Sequence, residues 1–151
     1  MANIEELLNL ESDGGCAVCG NRDPRVLTVH HLDGRKPKNE SYDNKLLLCH
    51  NCHCSHHESK GPTAEDLRKI KRRLIIKNLT LPGLNALKEA YRRSPVHAMP
   101  FLVNHLVEFG YLSLVEELAT REDPGEPVAV LEASYTITPA GMALLEKWDL
   151  K

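Results

Sequence analysis

Residues 45–57 read KLLLCHNCHCSHH, and this stretch decides the fold of the first half of the chain. Cys49 and Cys52 form a C-x2-C pair. An earlier pair, Cys16 and Cys19 in CAVCG, precedes it, with twenty-nine residues between Cys19 and Cys49. Two such pairs are what a closed tetrahedral site needs, because each supplies one edge of a thiolate tetrahedron around a structural Zn2+. All five cysteines lie between Cys16 and Cys54. The opening MANIEELLNLESDGG has neither a basic leader nor a long apolar run, so export is not expected and a cytoplasmic location is. In a reducing compartment, close cysteine pairs read as metal ligands before disulfides. Cys54 is surplus, either a spare thiol or a ligand exchanging with Cys52.

Outward from the cysteines, residues 3–10 (NIEELLNL) combine a capping residue, early acids and helically spaced apolar side chains. They predict a short amphipathic helix that Asp13-Gly14-Gly15 ends. Gly20 lets the chain turn behind the first pair. Residues 25–31 (RVLTVHH) have strand composition, and a polar loop with turn chemistry at Asp33-Gly34 and Pro37 runs to Asn44. Residues 45–48 are mostly apolar, and a helix is expected from Cys52. After Gly61-Pro62, Thr63 with Asp66 marks a helix start, and Leu67, Ile70, Leu74 and Ile75 carry it to about Lys77. Its other face holds Arg68, Lys69, Lys71, Arg72, Arg73 and Lys77. That face is either simply solvated or turned towards phosphate, with Arg68, Lys69, Lys71, Arg72 and Arg73 as the candidate DNA contacts.

The 151 residues suffice for one ordinary domain or two small ones, and no stretch approaches the roughly 20 apolar residues of a membrane span. A first module of such modest size needs more than hydrophobic burial, and a structural metal is a common staple. Net charge is -2, but it is unevenly spread. Residues 1–93 hold 16 Lys and Arg against 12 Asp and Glu, whereas residues 94–151 hold 3 against 9. A polyanion would therefore meet the first part.

Downstream the grammar changes. Residues 84–93 (LNALKEAYRR) and 96–109 (VHAMPFLVNHLVEF) read as helices, with His97 and His105 packed on the apolar face of the second. Residues 113–119 and 128–137 read as strands around a turn-rich REDPGEP loop, and Thr138-Pro139 opens a last helix through Met142, Leu145 and Trp148. Through EFGYLSL and SYTITPAGMALL, residues 80–148 resemble a winged helix-turn-helix domain.

Six of the eight histidines fall between His30 and His57, around the cysteine pairs. Imidazoles bind divalent transition ions, and one left unligated can act as a base near neutral pH. The string CAVCG…LTVHHLDG…YDNKLLLCHNCHCSHH resembles the HNH endonuclease motif of the ββα-metal nucleases, in the form with four cysteine ligands. The resemblance covers about residues 16–57. With the winged-helix resemblance and the basic helix, it gives an expected α+β chain: a zinc-stapled, treble-clef-like domain over 1–60, a basic connecting helix over 61–79, and the winged-helix-like domain over 80–151. It further implies His30, His53 and His57 as ligands of a catalytic divalent ion, His31 as general base, and Asn44 as the brace that orients that base. The ion would be Mg2+ or Mn2+, with Ni2+ or Zn2+ as alternatives in so imidazole-rich a site. Neither His50 nor His56 receives a role beyond surface or substrate contact.

The function so implied is metal-dependent hydrolysis of phosphodiester bonds in DNA, double-stranded DNA first, in phage, restriction or defence settings. The acidic second module would serve a homodimer or protein partner, or hide a local basic face. Two alternatives stay open. The chain could be a zinc-finger and winged-helix regulator that binds DNA without cutting it, or His30 or His31 could join His53 and Cys54 in a second structural zinc.

Overall fold

A computed structural model describes residues 3–35, 39–122, 124–125 and 127–151, which contain six α-helices and two small antiparallel sheets. Pro37, and Asp123 and Glu126 of the REDPGEP loop, lie outside the described residues. The chain divides into two compact units, one running to Asn78 and one from Leu79 to Lys151.

In the first unit, helix α1 (Ile4–Glu11) starts where the Asn3 side chain accepts a hydrogen bond from the Glu5 N–H. Strand β1 (Leu27–His31) pairs antiparallel with β2 (Lys45–Cys49), setting Leu27 opposite Cys49 and His31 opposite Lys45. Helix α2 (His50–His57) follows β2 without a connecting residue, so it begins two residues before the expected Cys52. Helix α3 (Ala64–Leu79) opens with a reciprocal cap. Thr63 N–H donates to Asp66 Oδ2 at 2.9 Å, and Asp66 N–H donates back to Thr63 Oγ1 at 3.2 Å.

Leu46, Leu48, Cys16, Cys49 and Leu67 form the buried centre of this unit, with Ile70 and Leu74 packed against it. Helix α3 therefore does not merely connect modules. Its apolar stripe completes the first core, because a five-residue-per-strand hairpin and two short helices leave that face open. The same packing overturns one expectation. Lys71 does not face phosphate; it is buried, with its Nζ 2.9 Å from both Glu11 carboxylate oxygens and 3.7 Å from the Tyr42 ring centroid. Lys71 lies four residues from Leu67 and Ile75, on the core-facing stripe, and an acid in α1 neutralises it there.

The second unit runs α4 (Leu81–Arg92), β3 (Val96–Ala98), α5 (Pro100–Glu108), β4 (Leu112–Arg121), β5 (Ala129–Ile137) and α6 (Pro139–Lys147). Its sheet has the order β3-β5-β4, antiparallel throughout. The helix expected over 96–109 is shorter, since residues 96–98 pair with β5. Met99 precedes a proline and is extended (φ -71, ψ 128), while Pro100 occupies the first helical turn, where its missing N–H costs nothing. His97 is consequently exposed on β3 rather than packed on a helix. His105 is packed and satisfied, its Nε2 lying 2.9 Å from the Leu79 carbonyl oxygen. No described helix is long and apolar enough to cross a membrane.

Candidate metal centres

Two clusters of metal-ligating side chains occupy the first unit. In the first, the Sγ atoms of Cys16, Cys19, Cys49 and Cys52 all lie within 4.8 Å of one another. The pair Cys16–Cys19 sits in a turn closed by Gly20 N–H donating to the Cys16 carbonyl at 2.8 Å, with Gly20 at φ +76. A side chain there would be strained. Ala17 N–H donates to the Leu47 carbonyl at 2.8 Å, which docks the turn on β2 beside Cys49 and Cys52.

The donor set fits zinc. With Zn–S of about 2.3 Å a tetrahedral edge is about 3.8 Å, and Cys19 Sγ and Cys49 Sγ stand 3.6 Å apart. Without an ion the thiols oppose one another's ionisation. Burial and the neighbours Cys49, Cys19 and Cys16 push the Cys52 thiol up. The Cys19 thiol is also raised: the Asn21 N–H favours its thiolate, but burial and the Cys49 and Cys16 sulfurs outweigh it. Cys16 is the exception, since burial disfavours its thiolate while the N–H groups of Cys19, Cys49 and Val18 bring it down to about 7. A dication among four sulfurs removes that conflict. Cys54 is exposed and stands outside the cluster.

In the second cluster, one nitrogen from each of His30, His53 and His57 lies within 4.8 Å of the others. His53 and His57 share a face of α2 because they are four residues apart, and their Nε2 atoms are 3.3 Å apart. Zn–N bonds of about 2.0–2.1 Å give a tetrahedral edge of about 3.4 Å, so the spacing suits two ligands of one ion. His30 comes from β1 and is buried, with ring centroids 5.2 Å from His53 and 5.6 Å from His57. Burial, then the His56, His53 and His57 rings, lower His30 to about 4. Burial and the neighbouring histidines lower His53 as well. Neutral imidazoles with available lone pairs are the form a metal requires.

His31 is not part of this cluster. Strand alternation sends it to the opposite face of the hairpin from His30. There it lines an open recess of about 550 Å3 together with Ile4, Leu8, Val29, Glu40 and Lys45. His31 Nε2 lies 3.1 Å from Glu40 Oε1, and Lys45 Nζ lies 2.7 Å from Glu40 Oε2. The Lys45 hydrogen bond, aided by His31, holds the Glu40 carboxyl below its ordinary range.

Asn44 is buried and braces the loop before it. Its Oδ1 accepts from Asp33 N–H at 2.9 Å, and its Nδ2 donates to the Asn39 carbonyl at 2.8 Å. These bonds tie Asp33 and Asn39 to Asn44, which makes no hydrogen bond to His31 among the described residues. Arg68, Lys69, Arg72 and Arg73 remain exposed on α3, with Lys69 paired to Glu65 at 2.8 Å.

Sequence reasoning passed over three residues. Glu40 and Lys45 carry no motif of their own. His56, given no role, packs edge-on against His30 (centroids 5.0 Å apart) and has its Nδ1 2.7 Å from the Pro62 carbonyl oxygen. Only its position within a histidine run signalled it. No protein-family model, no curated protein and no solved structure matches this chain.

Proposed function

We propose that this chain is a metal-dependent DNA endonuclease of the HNH type, with zinc at Cys16, Cys19, Cys49 and Cys52 as a staple and a divalent ion at His30, His53 and His57 as the reactive centre. The observation that carries this reading is the convergence of His30 from a strand with His53 and His57 from a helix on one point; His31 follows His30 at the end of that strand, with its side chain on the other face of the hairpin. A bound divalent ion there would polarise a phosphodiester and stabilise the departing oxyanion. The protein's own part is to hold His30 and His53 neutral and to present His31 as the base that takes a proton from water. The exposed Arg68, Arg72 and Arg73 on α3 supply positive charge within the same unit.

The second unit supports a winged-helix reading through its β3-β5-β4 order, with α4 and α5 before the long hairpin and α6 after it. Its acidic balance favours a protein partner or a second copy over groove reading. A regulator that binds DNA without cutting has no need of the three-imidazole cluster, and for that reason the nuclease reading is preferred.

The experiment is cleavage of plasmid, modified phage DNA and RNA side by side, with Mg2+, Mn2+, Ni2+ or Zn2+ added and the ends mapped. Plasmid is expected to be nicked or linearised. His31→Ala is expected to lose at least about a hundredfold in rate while zinc content stays at the wild-type value. Intact substrate with every metal overturns the proposal.

A further inference from the structure

Strand β1 ends in two histidines whose surroundings differ sharply. His30 points among other imidazoles, whereas His31 meets a carboxylate. An ionised carboxylate can only accept hydrogen bonds, so in the neutral ring the 3.1 Å approach of His31 Nε2 to Glu40 Oε1 puts the proton on Nε2 and leaves the lone pair on Nδ1, which has no hydrogen-bond partner among the described residues. Glu40 is itself held. Its second oxygen receives Lys45 Nζ at 2.7 Å, and Lys45 stands directly opposite His31 in the β1–β2 ladder. The Lys45 side chain is 14% exposed and that of His31 17%, so both are largely enclosed, while Glu40 reaches over them from the loop.

We infer that Glu40 is a positioning residue for His31, fixing the ring so that Nδ1 is the nitrogen offered to water, with Lys45 holding Glu40 in place. The inference rests on the nuclease reading. In the step it serves, water gives a proton to His31 Nδ1 while the water oxygen forms a bond to phosphorus. The bond from phosphorus to the leaving oxygen breaks, and that oxygen departs with the electron pair and takes a proton from solvent. The imidazolium formed in this step carries its new charge beside the Glu40 carboxylate, which stabilises it, and later returns the proton to solvent. Of the two ring nitrogens, only the one pointing away from Glu40 can take part.

Glu40→Ala and Glu40→Asp in the full-length, zinc-loaded protein test this. In the wild type the His31 Nε2 proton, held by a carboxylate, is expected as a slowly exchanging downfield NMR resonance. Glu40→Ala is expected to lose that resonance and at least about tenfold in kcat, with melting temperature and zinc content unchanged and KM not raised. Glu40→Asp is expected to recover part of both. A Glu40→Ala variant with wild-type kcat, or a loss confined to KM or to melting temperature, overturns the positioning role and leaves the nuclease reading standing. Failure of the wild type to cut any substrate overturns that reading, and this role with it.

Discussion

Glu11 and Lys71 each have 0% of their side chain exposed, and they meet at 2.9 Å. Tyr42 OH donates to Glu11 Oε2 at 2.5 Å and accepts from Asn78 Nδ2 at 2.8 Å, so α1, the turn before β2 and α3 share one buried polar network. Such a pair contributes little over a hydrophobic replacement, but breaking it strands a charge. Lys71→Met is therefore expected to cost about 3–5 kcal/mol, and Glu11→Leu with Lys71→Met markedly less, measured by urea unfolding. Burial raises the Glu11 carboxyl, against the opposing pull of Lys71 and Tyr42. A raised carboxyl stabilises the fold below its unfolded value of 4.5 and loses that contribution as pH rises through the folded value. Removing Lys71 raises it further. The penalty of Lys71→Met relative to wild type is expected to be larger at about pH 8 than at about pH 5; equal penalties would show that Glu11 does not carry it.

At the scale of elements, the hairpin and the basic helix each do two things by facing two ways. The period-two strand puts His30 against α2 and His31 into the recess beside Glu40, which lets adjacent residues serve different chemistry. Helix α3 turns Leu67, Lys71 and Ile75 inward and leaves Arg68, Lys69, Arg72 and Arg73 outside. These two faces make separable predictions. Arg73→Ala is expected to leave stability within about 0.5 kcal/mol of wild type. It is also expected to lower the salt dependence of DNA binding, cutting the slope of log K against log salt by about 0.9. An unchanged slope would mean that this face does not meet phosphate.

For the whole molecule, the two units differ in what holds them. The first gathers its core around Cys16, Leu46, Leu48, Cys49 and Leu67, so two of the five buried residues are themselves zinc-type ligands. The second has a core with no cysteine, including Leu87, Leu106, Leu112, Tyr135, Leu145 and Trp148. Zinc chelation is expected to remove slow amide exchange from the first unit while the second keeps its protection; loss of protection throughout would refute that division. Much of this was legible in the chain itself. The C-x2-C spacing, the i, i+4 pair His53 and His57, the Thr63–Asp66 cap and the Thr138-Pro139 helix start are local features, and short-range geometry determines them wherever the chain goes. Residues 96–98 were not legible, because an apolar run before a proline suits helix or strand, and only pairing with β5 decides. Lys71 was not legible either, since a cation on an apolar stripe becomes buried only if an acid from elsewhere meets it, and Glu11 is sixty residues away. The same reason applies to Glu40. By itself the sequence determined which residues could bind metal; tertiary structure alone decided which neighbours each met, because contacts across long loops leave no periodic trace in the residues that make them.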